Sequence, residues 1–168
     1  MDAPPPADQP LLEALLDSWD RNCAIMLNLL RVLPEGGLEI KATEGSPSVA
    51  QQFMHINHER LISVFEEAPE FAREVPKEEW MVERDRDRIA ERLAESANAV
   101  REAVKARVLA RRGMDIHYDH PILMLQLLLW HEGYHHGQIK LALKLAGRAI
   151  GNDEAGPLTW DVWRRKKA

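Results

Sequence analysis

The chain has 168 residues, 45% of them hydrophobic and 29% charged, with 22 Lys and Arg against 27 Asp and Glu for a formal net charge of −5. That length and balance fit one globular domain over residues 1–168, large enough to bury a real core. The acidic surplus (pI near 5.8) excludes a basic footprint for nucleic acid or an anionic membrane surface, and the Arg164-Arg-Lys-Lys167 cluster is too short to reverse it. The longest apolar block, Ile122 to Trp130, is broken by Gln126 and too short for a bilayer. The first ten residues lack the basic and apolar regions of a signal peptide. Cys23 is the only cysteine, so no intramolecular disulfide is possible, and a reducing, cytoplasmic setting is expected. Lying among apolar residues, it reads as a buried structural thiol.

Residues 1–9 are Pro-rich and expected to be flexible. Leu12, Leu15, Leu16, Trp19, Cys23, Met26, Leu29, Leu30 and Leu33 then recur at three- and four-residue steps. They predict an amphipathic helix from about Pro10 to Leu33, ended by Pro34 and Gly36-Gly37. Asp17, Asp20, Asn22 and Asn28 fall off its main stripe and are expected in solvent, with one of them able to reach a site as an acceptor. Leu38-Glu-Ile40 is a short extended candidate in a loop punctuated by Gly45 and Pro47. Ser48-Val-Ala-Gln51 reads as a capping box and opens a second helix to about Glu67, closed by Pro69. Its apolar set is Val49, Phe53, Met54, Ile56, Leu61, Ile62, Val64 and Phe65. His55 sits at the edge of that arc, and His58 lies one turn on along a neighbouring line.

Pro69 to Glu79 is a long polar connection. From about Met81 a mixed-charge run, Glu83 to Arg88, leads into Ile89, Leu93, Ala97, Val100, Val104 and Val108. These spacings predict a third helix to about Arg112, stopped by Gly113, with the charges on its solvated face. Asp119 is the expected N-cap of a fourth helix, with Pro121 in its first turn and Gly147 closing it after about Ala146. Asn152, Gly156 and Pro157 are expected to keep the rest irregular, while Leu158-Thr-Trp-Asp-Val-Trp163 supplies aromatic anchors that pack back. There is no strand pattern and no internal repeat. Four helices around one core predict an all-α four-helix bundle.

The fourth helix carries the most chemistry, in His131-Glu132-Gly133-Tyr134-His135-His136-Gly137-Gln138-Ile139. At about 100° per residue, His131 and His135 are offset by roughly 40° and one turn, so two imidazoles share a face with Gln138 on the same stripe. An imidazole pair in so apolar a helix needs a partner: a metal, or hydrogen bonds to carboxylate or backbone. His55 adds a third candidate from a neighbouring helix, although a lone histidine at such an edge is more often a packed polar residue. Three neutral imidazoles leave a coordination position open for water or substrate and suit Zn²⁺ or Ni²⁺ without choosing between them. The same residues spell H-E-x-x-H, the zincin protease pattern with Glu132 as general base, and Glu154 is an available third ligand. Against that reading, Gly133 weakens a helix, Gln138 stands where the metzincin extension has glycine, and no strand exists to hold a peptide.

Ser48-Val-Ala-Gln-Gln-Phe-Met-His55-Ile and His131 to Ile139, in this order on four helices, resemble the DinB/YfiT-like metalloenzyme family. There a capped second helix carries an early histidine and the fourth carries H-x-x-x-H-x-G-Q-I. The resemblance covers essentially the whole chain, and His136 departs from it at a position often occupied by arginine. It implies that His55, His131 and His135 bind one divalent metal ion. It also implies an up-down-down-up bundle with a long crossover between helices 2 and 3, and a homodimer. Some members of the family are thiol S-transferases, in which a metal lowers the pKa of a low-molecular-weight thiol that attacks an electrophile. A hydrolase variant would use water, with Glu132 as base. Gln138 orients substrate or a ligand, or is a surface glutamine; Tyr134 is open between core packing and the site. His58 and His136 stay outside the ligand set, and His117 and His120 are expected to be exposed. The alternatives are a non-catalytic, stress-related dimer in which metal stabilises the bundle, and a metal-free histidine network.

Overall fold

The structure is a computed structural model that describes residues 9–166. Among these residues the regular elements are helical: α1 (Gln9–Arg31), α2 (Val49–Glu67), α3 (Arg86–Leu109), α4 (Pro121–Leu145), α5 (Asn152–Leu158) and α6 (Trp160–Arg164), with 3₁₀ turns at Gly37–Glu39 and Pro69–Phe71. The expectation of flexibility over residues 1–9 lies outside the described residues, except that Gln9 already begins α1. The only extended pairing described is an isolated bridge between Lys41 and Ser48. None of the described helices is long and apolar enough to cross a membrane.

Local chemistry explains where the ends differ from expectation. α1 stops at Arg31 because Leu33 precedes Pro34, a position that disfavours helical backbone. α2 starts as expected: the Ser48 hydroxyl accepts from Gln51 N at 3.2 Å, and Gln51 Oε1 accepts from Ser48 N at 3.0 Å. α3 begins at Arg86 rather than near Met81, since the Asp85 carboxylate caps Asp87 N and Arg88 N. His120, not Asp119, caps α4, its Nδ1 accepting from Ile122 N at 3.2 Å. Gly147 closes α4 with φ +70°, and Arg148 N donates back to Leu143 O at 2.8 Å. Leu38 lies in a 3₁₀ turn instead of an extended piece, and Phe65 is exposed rather than in the α2 core set.

The tail is not irregular. It forms α5 and α6, with Asp153 and Glu154 suited to the first turn of α5. Backbone capture holds it, not aromatic anchoring: Arg21 donates to Val162 O and Trp163 O, and Asn28 Nδ2 to Leu158 O, while Trp160 and Trp163 are exposed.

α3 and α4 each pack on both α1 and α2. The apolar core falls into two clusters. One gathers Met26, Leu30, Phe53, Ile56, Ile89, Leu93, Ile139 and Leu143; the other gathers Leu12, Leu16, Trp19, Val64, Val100, Val104, Met124, Leu125 and Leu128. On every long helix the two clusters meet near a member of one polar network: Asn22, Arg60, the Leu93 carbonyl and Glu132. That layer lies beside the histidines.

Candidate metal centre

α2 and α4 present their polar residues in two opposite directions. Toward solvent, His55 from α2 meets His131 and His135 from α4. The Nε2 atoms of His55 and His131 lie 3.0 Å apart, those of His135 and His131 3.1 Å, and all three donor atoms fall within 4.8 Å of one another. The structure therefore brings together the three histidines that the spacing and the resemblance singled out.

Burial keeps these rings neutral. It is the largest cause of the low pKa of His55, about 4, and the neighbouring His131 and His58 push the same way. His135 also falls to about 4, through burial and then His131 and His55, although a hydrogen bond to Gln138 opposes the shift. Burial lowers His131 too; Glu132 works against that and Arg60 with it. Neutral imidazole is the form that donates a lone pair to a cation. Hydrogen bonding among the three accounts poorly for the geometry. The Nε2 of His131 has either one proton or one lone pair, yet it faces two other ring nitrogens. Three lone pairs converging on one cation fit the same arrangement without that conflict.

The surrounding residues fix the rings. Trp80 stacks on His55 with centroids 4.0 Å apart and planes 7° apart. The Glu79 carboxylate lies 3.0 Å from Nδ1 of His55, a close charge contact that lacks hydrogen-bond geometry. Both residues come from the segment between α2 and α3, and the cap of α2 positions that segment: Gln51 Nε2 donates to Trp80 O at 3.0 Å. Glu59 and Glu79 also lie near His55 as a second group able to hold a cation. The Glu59 pKa is raised by burial and then by Glu79. A cavity of about 470 Å³ opens over the imidazoles, walled by Trp80, Trp130, Tyr134 and Leu141, with the carboxamides of Gln52 and Gln138 at its edge. Gln52 is 3% exposed and its Oε1 has no hydrogen-bond partner. A larger cavity, about 680 Å³, is walled by Arg73, Glu74, Lys77, Glu78, Arg92 and Glu95 and contains none of the imidazoles, so the histidine chemistry belongs to the smaller one.

Glu132 is placed elsewhere. It is 0% exposed and forms a two-pronged pair with Arg60, itself 1% exposed, at 2.6 Å (Nε to Oε1) and 2.7 Å (Nη2 to Oε2). Asn22 Nδ2 donates to its Oε2 at 2.6 Å, and Arg60 Nη1 donates to Leu93 O at 2.7 Å. The guanidinium also lies 5.0 Å from the Trp19 ring centroid and 3.6 Å from the Cys23 sulfur. Burial works to lower the Arg60 pKa, but Glu132 outweighs it and keeps the guanidinium charged. Burial, with Glu132 and Asp20 adding and Arg60 opposing, pushes the Cys23 thiol up to about 12, an inert structural thiol. A base acting beside the histidines must face them, and Glu132 faces the core. The general-base role expected of it, in a hydrolase or a zincin, does not fit this geometry. Glu154, the spare zincin ligand, lies exposed on α5 and outside the histidine group.

Tyr134 and Gln138 both line the cavity. His117 and His120 are exposed, as expected, but engaged: His117 Nδ1 lies 2.6 Å from the buried Glu67 carboxylate, and His120 is the α4 cap. His58 and His136 are outside the group of three. Sequence reasoning missed Trp80, Glu79, Gln52 and the partner of Glu132. A signal for the last was available, because Arg60 sits four residues after Ile56 and four before Val64, on the core line of α2.

A family model described as DinB family matches residues 8–161, while no curated protein and no solved structure matches the chain. Matched over almost its full length, and with three histidines gathered from its second and fourth helices, the chain belongs to the DinB family.

Proposed function

We propose that His55, His131 and His135 hold one divalent cation, Zn²⁺ or Ni²⁺, and that the protein is an enzyme transferring a low-molecular-weight thiol to a small apolar electrophile. The observation that carries this reading is the convergence of three neutral imidazole nitrogens at the floor of a largely apolar cavity. Bound there, the cation would supply Lewis acidity, lowering the pKa of a thiol that reaches it. Trp80 stacks on His55 and Glu79 sets a negative charge beside its Nδ1, which together favour this ring orientation. Trp130, Tyr134 and Leu141 receive the apolar part of the substrate and exclude water, and the Gln52 and Gln138 carboxamides offer hydrogen bonds to its polar part. The sulfur–carbon bond forms as the leaving group departs with its electron pair, and the thiol proton passes to solvent.

Transfer is favoured over hydrolysis and peptide cleavage because no carboxylate lines the cavity, so no general base stands ready there. We further propose the up-down-down-up bundle for the chain. What supports it is the pairing within the core clusters, where the N-terminal halves of α1 and α4 share one cluster with the C-terminal halves of α2 and α3.

The test is a panel of low-molecular-weight thiols against small alkylating and epoxide electrophiles, read as loss of free thiol with Zn²⁺- or Ni²⁺-reconstituted protein. Turnover that disappears with a chelator and with His135→Ala is expected. Inertness across the panel would instead leave a passive, non-catalytic metal site.

A further inference from the structure

We propose that the protein holds a second, more weakly bound divalent cation between Nδ1 of His55, Glu59 and Glu79, so that the His55 ring bridges two ions. This rests on the reading of His55 Nε2 as a ligand of the first ion. His55 and Glu59 stand one turn apart on α2, which sets both side chains on one face. Glu79 reaches the same face from the segment between α2 and α3. It is held beside Trp80, whose ring stacks on His55 and whose carbonyl accepts from Gln51. One ligand atom from each of the three residues lies within 4.8 Å of the other two.

Two observations on different atoms point to a cation there. The first concerns Nδ1. His55 is 7% exposed, and this nitrogen is sealed from solvent with no hydrogen-bond partner, although a Glu79 oxygen lies only 3.0 Å away. A buried polar atom left in that state is costly. A carboxylate that held an N–H proton would lie in line with it. Two donors of one ion, each at about 2.0–2.2 Å from it, instead stand roughly 3.0–3.5 Å apart with no such alignment. The second observation concerns the carboxylates. Burial and then the Glu79 charge raise the Glu59 pKa, so two like charges share a half-buried place. Among the described residues neither forms an ion pair with arginine or lysine. A divalent cation neutralises both.

This donor set differs in kind from the three imidazoles. One nitrogen and two carboxylate oxygens suit Zn²⁺ or Mn²⁺, with water completing the sphere. Nδ1 gives its proton to solvent as the ion enters, and the ring then bridges as an imidazolate. The Glu79 side chain is 46% exposed on a connecting segment, and the cost of ordering it makes this the weaker site. Once bound, the ion ties that segment to α2 and fixes Trp80 over the imidazoles.

The test is equilibrium dialysis of the untagged protein against low and high free Zn²⁺, followed by elemental analysis. Two ions per chain are expected at high Zn²⁺, one of them lost on desalting. Glu59→Gln keeps the size of the side chain. It is expected to weaken the second step by at least about 100-fold while the first step and the helical circular dichroism stay unchanged. Bridging is read separately with Cu²⁺ by electron paramagnetic resonance. Protein holding two copper ions is expected to give a weaker signal than protein holding one, because an imidazolate couples the two spins. Saturation at one ion, a second ion that survives Glu59→Gln, or two copper ions with independent signals would overturn the proposal and leave the three-imidazole site standing. Absence of any bound ion would overturn both.

Discussion

His131 and Glu132 are neighbours in sequence, and the regions they enter follow opposite rules. His131 turns toward two other neutral imidazoles at a cavity floor; Glu132 turns into the core to meet Arg60, Asn22 and, through Arg60, the Leu93 carbonyl. On a helix, consecutive side chains diverge by about 100°, enough to cross from a site to a core. In that interior cluster the Arg60 and Glu132 charges are paired, and Asn22 and the Leu93 carbonyl add hydrogen bonds to them. The cavity region leaves lone pairs facing one another and a buried carboxamide oxygen without a partner. Between these two neighbours on α4, the paired carboxylate belongs to the part that holds the fold and the converging lone pairs to the part open to a ligand.

The largest expected effect falls on the interior. Arg60→Met or Glu132→Leu alone leaves a buried charge unpaired and should lower unfolding free energy by about 3–5 kcal/mol in urea titration. The double substitution, which removes both charges, should recover most of that loss. On the cavity side the pattern should reverse. His131→Ala or His135→Ala should weaken metal binding by at least about 100-fold in a competition titration, yet change metal-free stability by no more than ~1 kcal/mol, since no bond that holds the fold is removed.

The helices and the histidine pair were legible because both follow periodicity. His131 and His135 are one turn apart, and the Ser48–Gln51 box announces the start of α2. His55 needed the family resemblance, since its place at the edge of an apolar arc does not separate a ligand from a packed residue. Trp80 and Glu79 were not legible, because they lie outside any helix on a segment whose path is set by a tertiary hydrogen bond from Gln51. The H-E-x-x-H spelling draws Glu132 toward catalysis, while the structure pairs it with Arg60. Its position four residues after Leu128 and seven before Ile139, on the buried line of α4, pointed to the core instead. The tail differs from expectation for a related reason: Gly and Pro argue for irregular chain, while Arg21 and Asn28 from α1 donate hydrogen bonds to its carbonyls.

Two smaller effects sharpen the contrast. Glu79→Gln keeps the size but removes the charge beside Nδ1 of His55, and should weaken metal binding about 10-fold with stability unchanged. The smallest signal is in pH. With His55 and His135 held near 4 in the fold against 6.5 ordinarily, the unfolded chain takes up protons that the folded chain refuses. Stability of the metal-free protein should therefore fall as pH drops from about 6.5 toward 4 and be insensitive to these groups above that window. Thermal melts across the range should show a shallower slope for His135→Ala than for wild type.

The central claim is that His55, His131 and His135 act as one cation site. Its most direct test is elemental mass spectrometry of untagged protein, purified and then reconstituted with Zn²⁺ or Ni²⁺, for wild type and for His55→Ala. One tightly held divalent ion per chain in the wild type, lost in His55→Ala while the fold is kept, is the predicted result. A wild type that retains no ion after reconstitution, or a His55→Ala protein that retains it undiminished, would contradict the account.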